Sequence, residues 1–329
     1  MRSIRRILVA IKDPEAKTTP ALVKAGQLAR ALGAQIELFH GIASRLYVDG
    51  YGPSGIELPT IERNVRARTL AALEKMAARL RREQIKVTVA AEWDFPVYEA
   101  IVRRASRTKA DLIVADQHAG RHTVAGLLHL TDWELLRLSP VPVLLVKTNG
   151  AYRNPVVLAA VDPGHTYSKP AKLDQRILVA SSTITRALRG TQHVLHAYVP
   201  FPYAAEPNNM LSQETIERLE GEASAAAQSA LDRTLRRTKI QKKHRHIVGR
   251  HPADAIAQTA QELHSSIVVM GAISRSGLKR LFIGNTAERV LDLLSCDVLV
   301  VKPEHFASRV PRARRGARVV AAASTALPI

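Results

Sequence analysis

At 329 residues the chain exceeds one average domain and suits two of about 150 residues each. Its residues are 46% hydrophobic and only 4% aromatic, so Val, Ile, Leu and Ala must fill the cores, and a lone cysteine, Cys296, excludes an internal disulfide framework. No run approaches the roughly 18 apolar residues of a spanning helix, and the formal charge of +19 sits on arginines without interleaved aromatics, which reads as a basic surface more than a nucleic-acid site.

In chain order, the arginine-bearing stretch Met1 to Arg6 leads into Ile7–Ile11, an apolar run too short for a signal-peptide core, so a cytoplasmic protein is expected. The run closes at Asp13-Pro14. A helix is predicted over Ala21–Leu32, capped by Gly33, then a strand over Gln35–His40. A long amphipathic helix follows over Pro59–Glu83, then a strand over Lys86–Ala91, a helix, a strand at Asp111–Ala115, a helix and a last strand at Pro142–Lys147. After a linker, Thr148–Asn154, the order repeats. Val156–Val161 closes at Asp162-Pro163, and Asp174–Leu188 reads as a helix stopping at Gly190. Gln192–Tyr198, Ser212–Thr238 and Lys243–Val248 continue the series.

The two series share a register. At an offset of 155 residues Lys147 falls on Lys302, Asp111–Ala115 on Ser266–Met270, Thr131 on Thr286 and Leu136 on Leu291. Such alignment without gaps marks a duplication. Short apolar strands alternating with helices give an α/β class with two tandem, doubly wound, five-stranded parallel-sheet domains, whose ligand crevices lie at the carboxyl ends of the strands. Domain boundaries are expected at 1–148 and 149–303, leaving 304–329 as a basic, disordered tail built around Arg309–Arg318.

Chemistry concentrates after the fourth strand of the second copy, in Met270-Gly-Ala-Ile-Ser-Arg-Ser-Gly277 and Gly284-Asn-Thr-Ala-Glu288. Amides at a helix start, the Thr286 hydroxyl and a glycine allowing close approach could cradle a phosphate, with Arg275 and Lys279 adding charge; the same residues could equally form a turn and a helix cap. Asp162 could accept hydrogen bonds from a base or ribose. No nucleophile–base arrangement, Gly-x-Ser-x-Gly elbow or Walker loop occurs, so an enzyme is disfavoured and any ATP turnover should be slow. His244 and His246 share a strand face, and His196 or His251 could supply a third metal ligand. His193 and His196 point to opposite faces, and scattered histidines on a basic surface are commoner than a metal site.

The strand-end Asp162, Val268-Val-Met-Gly271, Gly284-Asn-Thr-Ala-Glu288 and Cys296-Asp-Val-Leu-Val-Val-Lys-Pro303 resemble the universal stress protein family. The resemblance implies a fold of the adenine nucleotide alpha hydrolase type, an intramolecular pseudo-dimer paired through the last strands (Pro140–Val146 against Ser295–Val301), and scope for a homodimer. It also implies an ATP or other small-ligand site made of Asp162, Pro163, Val199, Met270, Gly271, Ser274, Arg275, Ser276, Gly277, Gly284, Asn285 and Thr286. The family's ATP-binding members carry Gly-x2-Gly-x9-Gly, and here Ser274 replaces the second glycine, although Gly277 lies nearby. In copy one the corresponding positions are Asp116, Ala119 and His129, which should exclude a triphosphate, with Thr131-Asp132 as a helix cap and Trp133 as packing or an interface anchor. The expected function is ligand binding in a stress response, with ATP the expected ligand, no metal, no nucleic acid and no membrane. The alternatives are an interaction protein or apolar-ligand binder using its basic surface, and a slow ATP hydrolase.

Overall fold

The computed structural model describes residues 4–48, 58–117, 129–164, 172–200, 212–272 and 285–321. Two compact units emerge, one made of residues 3–141 with 307–329, the other of residues 142–306 with the first two residues.

The N-terminal unit contains β1 (Arg6–Ala10), α1 (Pro20–Leu32), β2 (Gln35–Ile42), β3 (Arg45–Val48), α2 (Leu58–Arg82), β4 (Val87–Trp93), α3 (Val97–Thr108), β5 (Leu112–Asp116) and α4 (His129–Leu138). Its main strands lie in the order β4-β2-β1-β5, all parallel. β1 and β5 are apolar on both faces: Ile7, Leu8, Val9, Leu112, Ile113 and Val114 are all buried. Helices must therefore cover both sides of the sheet. Each such side chain contributes about 1.5–3 kcal/mol when fully buried. Thr19 caps α1 by accepting the Leu22 N–H, and Gly33 ends it at φ 65°, the left-handed turn that a glycine adopts without strain.

The second unit contains β6 (Val143–Val146), β7 (Val156–Val161), α5 (Leu173–Ala187), β8 (Thr191–Tyr198), α6 (Gln213–Leu235), a 3₁₀ turn (Lys242–His244), β9 (Arg245–Gly249), α7 (Pro252–Glu262), β10 (Ile267–Gly271), α8 (Asn285–Leu293) and β11 (Asp297–Val301). Its strands run β6-β11-β10-β7-β8-β9, parallel except for β6, which lies antiparallel to β11 with Leu144 opposite Leu299. Leaving aside the short β3, each copy contributes five described strands in the expected sequence order, and β6, the last strand of the first copy, folds with the second.

Asp297 explains how that strand and the linker are held. Fully buried at the start of β11, its carboxylate accepts the N–H groups of Lys147 and Thr148, each at 2.9 Å, and the hydroxyls of Thr148 at 2.9 Å and Tyr152 at 2.5 Å. The Lys147 ammonium caps the end of α8 by donating to the carbonyls of Leu291 and Leu294. A linker read from composition as a plain connector is thus a hydrogen-bonded clasp. Burial first, and the Asp297 charge second, push the Tyr152 phenol well above its ordinary pKa, keeping it a donor.

One expectation holds with a different local reason, and one is corrected. The helix stops before Gly190 as expected, but the left-handed residue is Arg189, at φ 54°. Gly190 is required because a Cβ there would lie 2.1 Å from the Pro155 carbonyl oxygen. The basic tail is ordered through its described residues, up to 321. Ser308 donates to the Leu138 carbonyl, Arg315 binds Asp94 and Glu99, and β12 (Arg318–Ala321) pairs in parallel with β3. Composition suggested disorder because the carboxylates that hold the tail come together only in the fold.

Replacing Asp297 by Ala strands several donors at once and should lower the unfolding free energy by about 3 kcal/mol, against about 1 kcal/mol for Tyr152→Phe. Urea denaturation measures both, and equal effects would refute the central role of the carboxylate.

Candidate functional site

The carboxyl ends of the central strands offer the same place in each copy, and the chain fills it differently. In the second copy β7 and β10 are paired neighbours, ending at Val161 and Gly271. Asp162 and Pro163 follow β7 directly and are half-buried. The Asp162 N–H donates to Asp174 Oδ1 at 3.0 Å, so a buried carboxylate in the first turn of α5 fixes how the chain leaves the strand. Met270 is buried below this point, whereas Val199, just past β8, is exposed.

Gly271 is glycine for a local reason. An added Cβ would lie 2.7 Å from Leu173 Cδ2 and 3.2 Å from Ile177 Cδ1, because α5 crosses directly over the end of β10. Any side chain there would have to push Leu173 and Ile177 of α5 away. The structure therefore brings together Asp162, Pro163, Met270 and Gly271, and adds Asp174, Leu173 and Ile177, which sequence reasoning did not single out. The one available signal was Asp174, an acid in the first turn of a predicted helix. The predicted contributors Ser274, Arg275, Ser276, Gly277 and Gly284 lie outside the described residues. Asn285 and Thr286 begin α8, so a helix N-terminus does follow that segment.

In the first copy β5 ends at Asp116, the position matching Gly271. Its Oδ1 accepts the Ala21 N–H of α1 at 2.7 Å. Burial lifts this carboxyl above its ordinary pKa, opposed by hydrogen bonds from Thr19 and Ala21 and by the charges of Lys24 and Lys12. The start of α1 is thus met by a carboxylate that the chain itself supplies. Ala119 lies outside the described residues. Thr131 and Asp132 lie within α4, not at its cap, because the helix already includes His129 and Leu130; Trp133 is half-buried.

The histidines regroup. His193 on β8 joins His244 and His246: its Nδ1 lies 2.9 Å from His246 Nε2, and its ring centroid is 4.4 Å from that of His244. His251 instead caps α7, accepting the Ala253 N–H, and His196 is buried. The ring that meets His244 and His246 is thus His193 and not His196 or His251, because the pairing of β8 with β9, not spacing along one strand, decides which rings meet. Among the described residues no three His, Cys, Asp or Glu side chains are arranged to hold a metal ion. Burial, with His244 and His246 nearby, lowers the His193 pKa to about 4, and burial followed by His244 lowers that of His246. Burial and the Asp297 charge raise the Cys296 thiol to about 11, so it stays protonated and unreactive at neutral pH. No described helix is long and apolar enough to cross a membrane.

Comparison with known proteins places this geometry. The universal stress protein family model matches residues 3–147 and again 156–302. Universal stress protein E of Photorhabdus laumondii is 29% identical over 321 residues, spanning 95% of this chain and all of that protein. Its counterpart in Escherichia coli K12 is 26% identical over 318 residues, spanning 94% of this chain and 98% of that one. The crystal structure of a functionally unknown protein from Pseudomonas aeruginosa PAO1 superposes with a TM-score of 0.69 at 28% identity, covering 92% of this chain and 94% of its own.

The histidine cluster predicts a pH dependence. Because the folded pKa of His193 lies below its unfolded value, the folded state binds fewer protons than the unfolded chain between about pH 6.5 and pH 4. Stability present above pH 6.5 should therefore fall on acidification through that window. Thermal unfolding at stepped pH should show a shallower decline for His193→Gln; an identical slope would refute the assignment.

Proposed function

This chain belongs to the universal stress protein family, and from that membership we propose that it acts in a stress response by binding an adenine nucleotide, ATP foremost, in its second copy while the first copy serves as scaffold. Family membership supports the stress-response role. The nucleotide reading is supported by a contrast at matching strand ends. Gly271 puts no carboxylate beside the Asp162 turn, the place of its missing side chain being taken by Leu173 and Ile177 of α5, whereas Asp116 ends β5 with a carboxylate that accepts the Ala21 N–H.

A phosphate needs amide donors and no competing anion. The second copy supplies a helix beginning at Asn285, preceded in sequence by Gly284 and followed by Thr286, in the glycine pattern of the family's ATP-binding members apart from Ser274. Asp162, fixed by Asp174, would face the base or ribose. Ser274, Arg275, Ser276 and Gly277 would line the phosphate side, with Pro163, Met270 and Val199 closing the apolar flank. Binding is the proposed activity, in the cytoplasm.

Purified protein, denatured and filtered, should release adenine nucleotide. ATP at about 100 times its Kd should stabilise the native state by about 2.7 kcal/mol, read as a rise in melting temperature. Gly284→Asp should abolish that rise by placing a charge where the phosphate sits, and Gly271→Asp should reproduce the first copy's occupied state. If Gly271→Asp fails to fold against Leu173, Gly284→Asp still decides, and an ATP-dependent rise that it leaves unchanged overturns the proposal.

A further inference from the structure

The basic tail is bound in a way that composition alone does not require. At the end of β4 and the start of α3, Asp94, Glu99 and Arg103 are all buried. The Arg103 guanidinium donates to both Asp94 oxygens at 2.8 Å and to Glu99 Oε2 at 2.9 Å. Two carboxylates thus share one cation, and a buried excess of negative charge is costly without a further partner.

The tail supplies that partner. Arg315 Nη2 donates to Glu99 Oε1 at 3.0 Å and Oε2 at 3.2 Å, and its backbone N–H donates to Asp94 Oδ1 at 3.0 Å. Arg103 returns a hydrogen bond to the Pro311 carbonyl at 3.2 Å. The guanidinium carbons of Arg315 and Arg318 stand 5.8 Å and 5.9 Å from the Phe95 ring centroid, within cation–π range. Arg314 lies 3.6 Å from Glu92, whose burial opposes ionisation but whose bonds from Arg107 and Arg104 hold its pKa below the ordinary value. Beyond these contacts β12 adds its backbone to β3, with Val319 opposite Leu46.

Charge pairing, an aromatic platform and strand addition together are the elements of peptide recognition. We infer that the N-terminal unit carries a docking site selective for an arginine-bearing basic segment, and that residues 308–321 of the same chain are its occupant, held as a charge-gated strap. The buried carboxylates and Arg103 form the permanent half. Arg315 forms the exchangeable half, its side chain 47% exposed and therefore open to salt and to competing charge. Release would uncover an acidic, aromatic surface and free five arginines (Arg309, Arg312, Arg314, Arg315 and Arg318) in one step.

Hydrogen–deuterium exchange on the full chain tests this. The peptide covering 307–321 should be protected at low salt and exchange about tenfold faster in Arg315→Glu, which sets a carboxylate against Glu99 and Asp94. Arg315→Lys should fall between, since it keeps the charge and loses the planar fork. Peptides from β1, β2 and β5 should be unchanged in both. If Arg315→Glu does not fold, raising NaCl from about 0.05 to about 0.5 M on the unaltered chain must speed exchange of 307–321 alone. Absence of protection at low salt, or protection indifferent to both substitution and salt, overturns the inference.

Discussion

A carboxylate withdrawn from water must be given donors, and much of this chain's connectivity follows from that requirement. Burying an anion is expensive, whereas a buried anion that accepts two or three hydrogen bonds is held firmly. Asp297 gathers the amides and hydroxyls of the segment between the copies, so a stretch rich in Asn and Gly becomes a fixed clasp. Asp174 fixes the turn that leaves β7, Asp116 holds the start of α1, and Asp94 with Glu99 binds the tail. In each case one acid near an element end joins parts of the chain that are separate in sequence.

Duplication gave the two copies one architecture, and their strand ends now carry different residues. The first copy answers the positive end of its opening helix with its own carboxylate, which suits a structural part. The second places glycine at that point and lets α5 pack down onto bare backbone, with Leu173 and Ile177 in contact range of the missing Cβ. Divergence of this sort needs few substitutions, because the sheet that positions the site is set by apolar strands that both copies retain.

The histidines and the tail show where one-dimensional reasoning misleads. His193 was set aside because it cannot share a strand face with His196, and that geometry is sound. Its partners came from the neighbouring strand and the 3₁₀ turn that leads into it, through a register that spacing along β8 does not reveal. The tail's arginines likewise suggested a free polycation, since nothing local indicates that a carboxylate 221 residues away will accept the Arg315 N–H.

By itself the sequence determined the repeat, the alternation of strands with helices and the approximate bounds of each. Those features depend on local periodicity, on caps such as Thr19 and Gly33, and on apolar runs that bury the same way wherever they fall. Gly271 and Asp116 were also legible as matching positions with opposite chemistry. The resemblance had implied that Pro140–Val146 meets Ser295–Val301; only the tertiary structure decided that β6 runs antiparallel to β11, that Gly190 exists to clear a carbonyl oxygen, and that Tyr152, 145 residues from Asp297, donates to it. These outcomes depend on which distant donors and strand edges the fold brings within about 3 Å, and hydrogen bonds of that length leave no trace in spacing or composition.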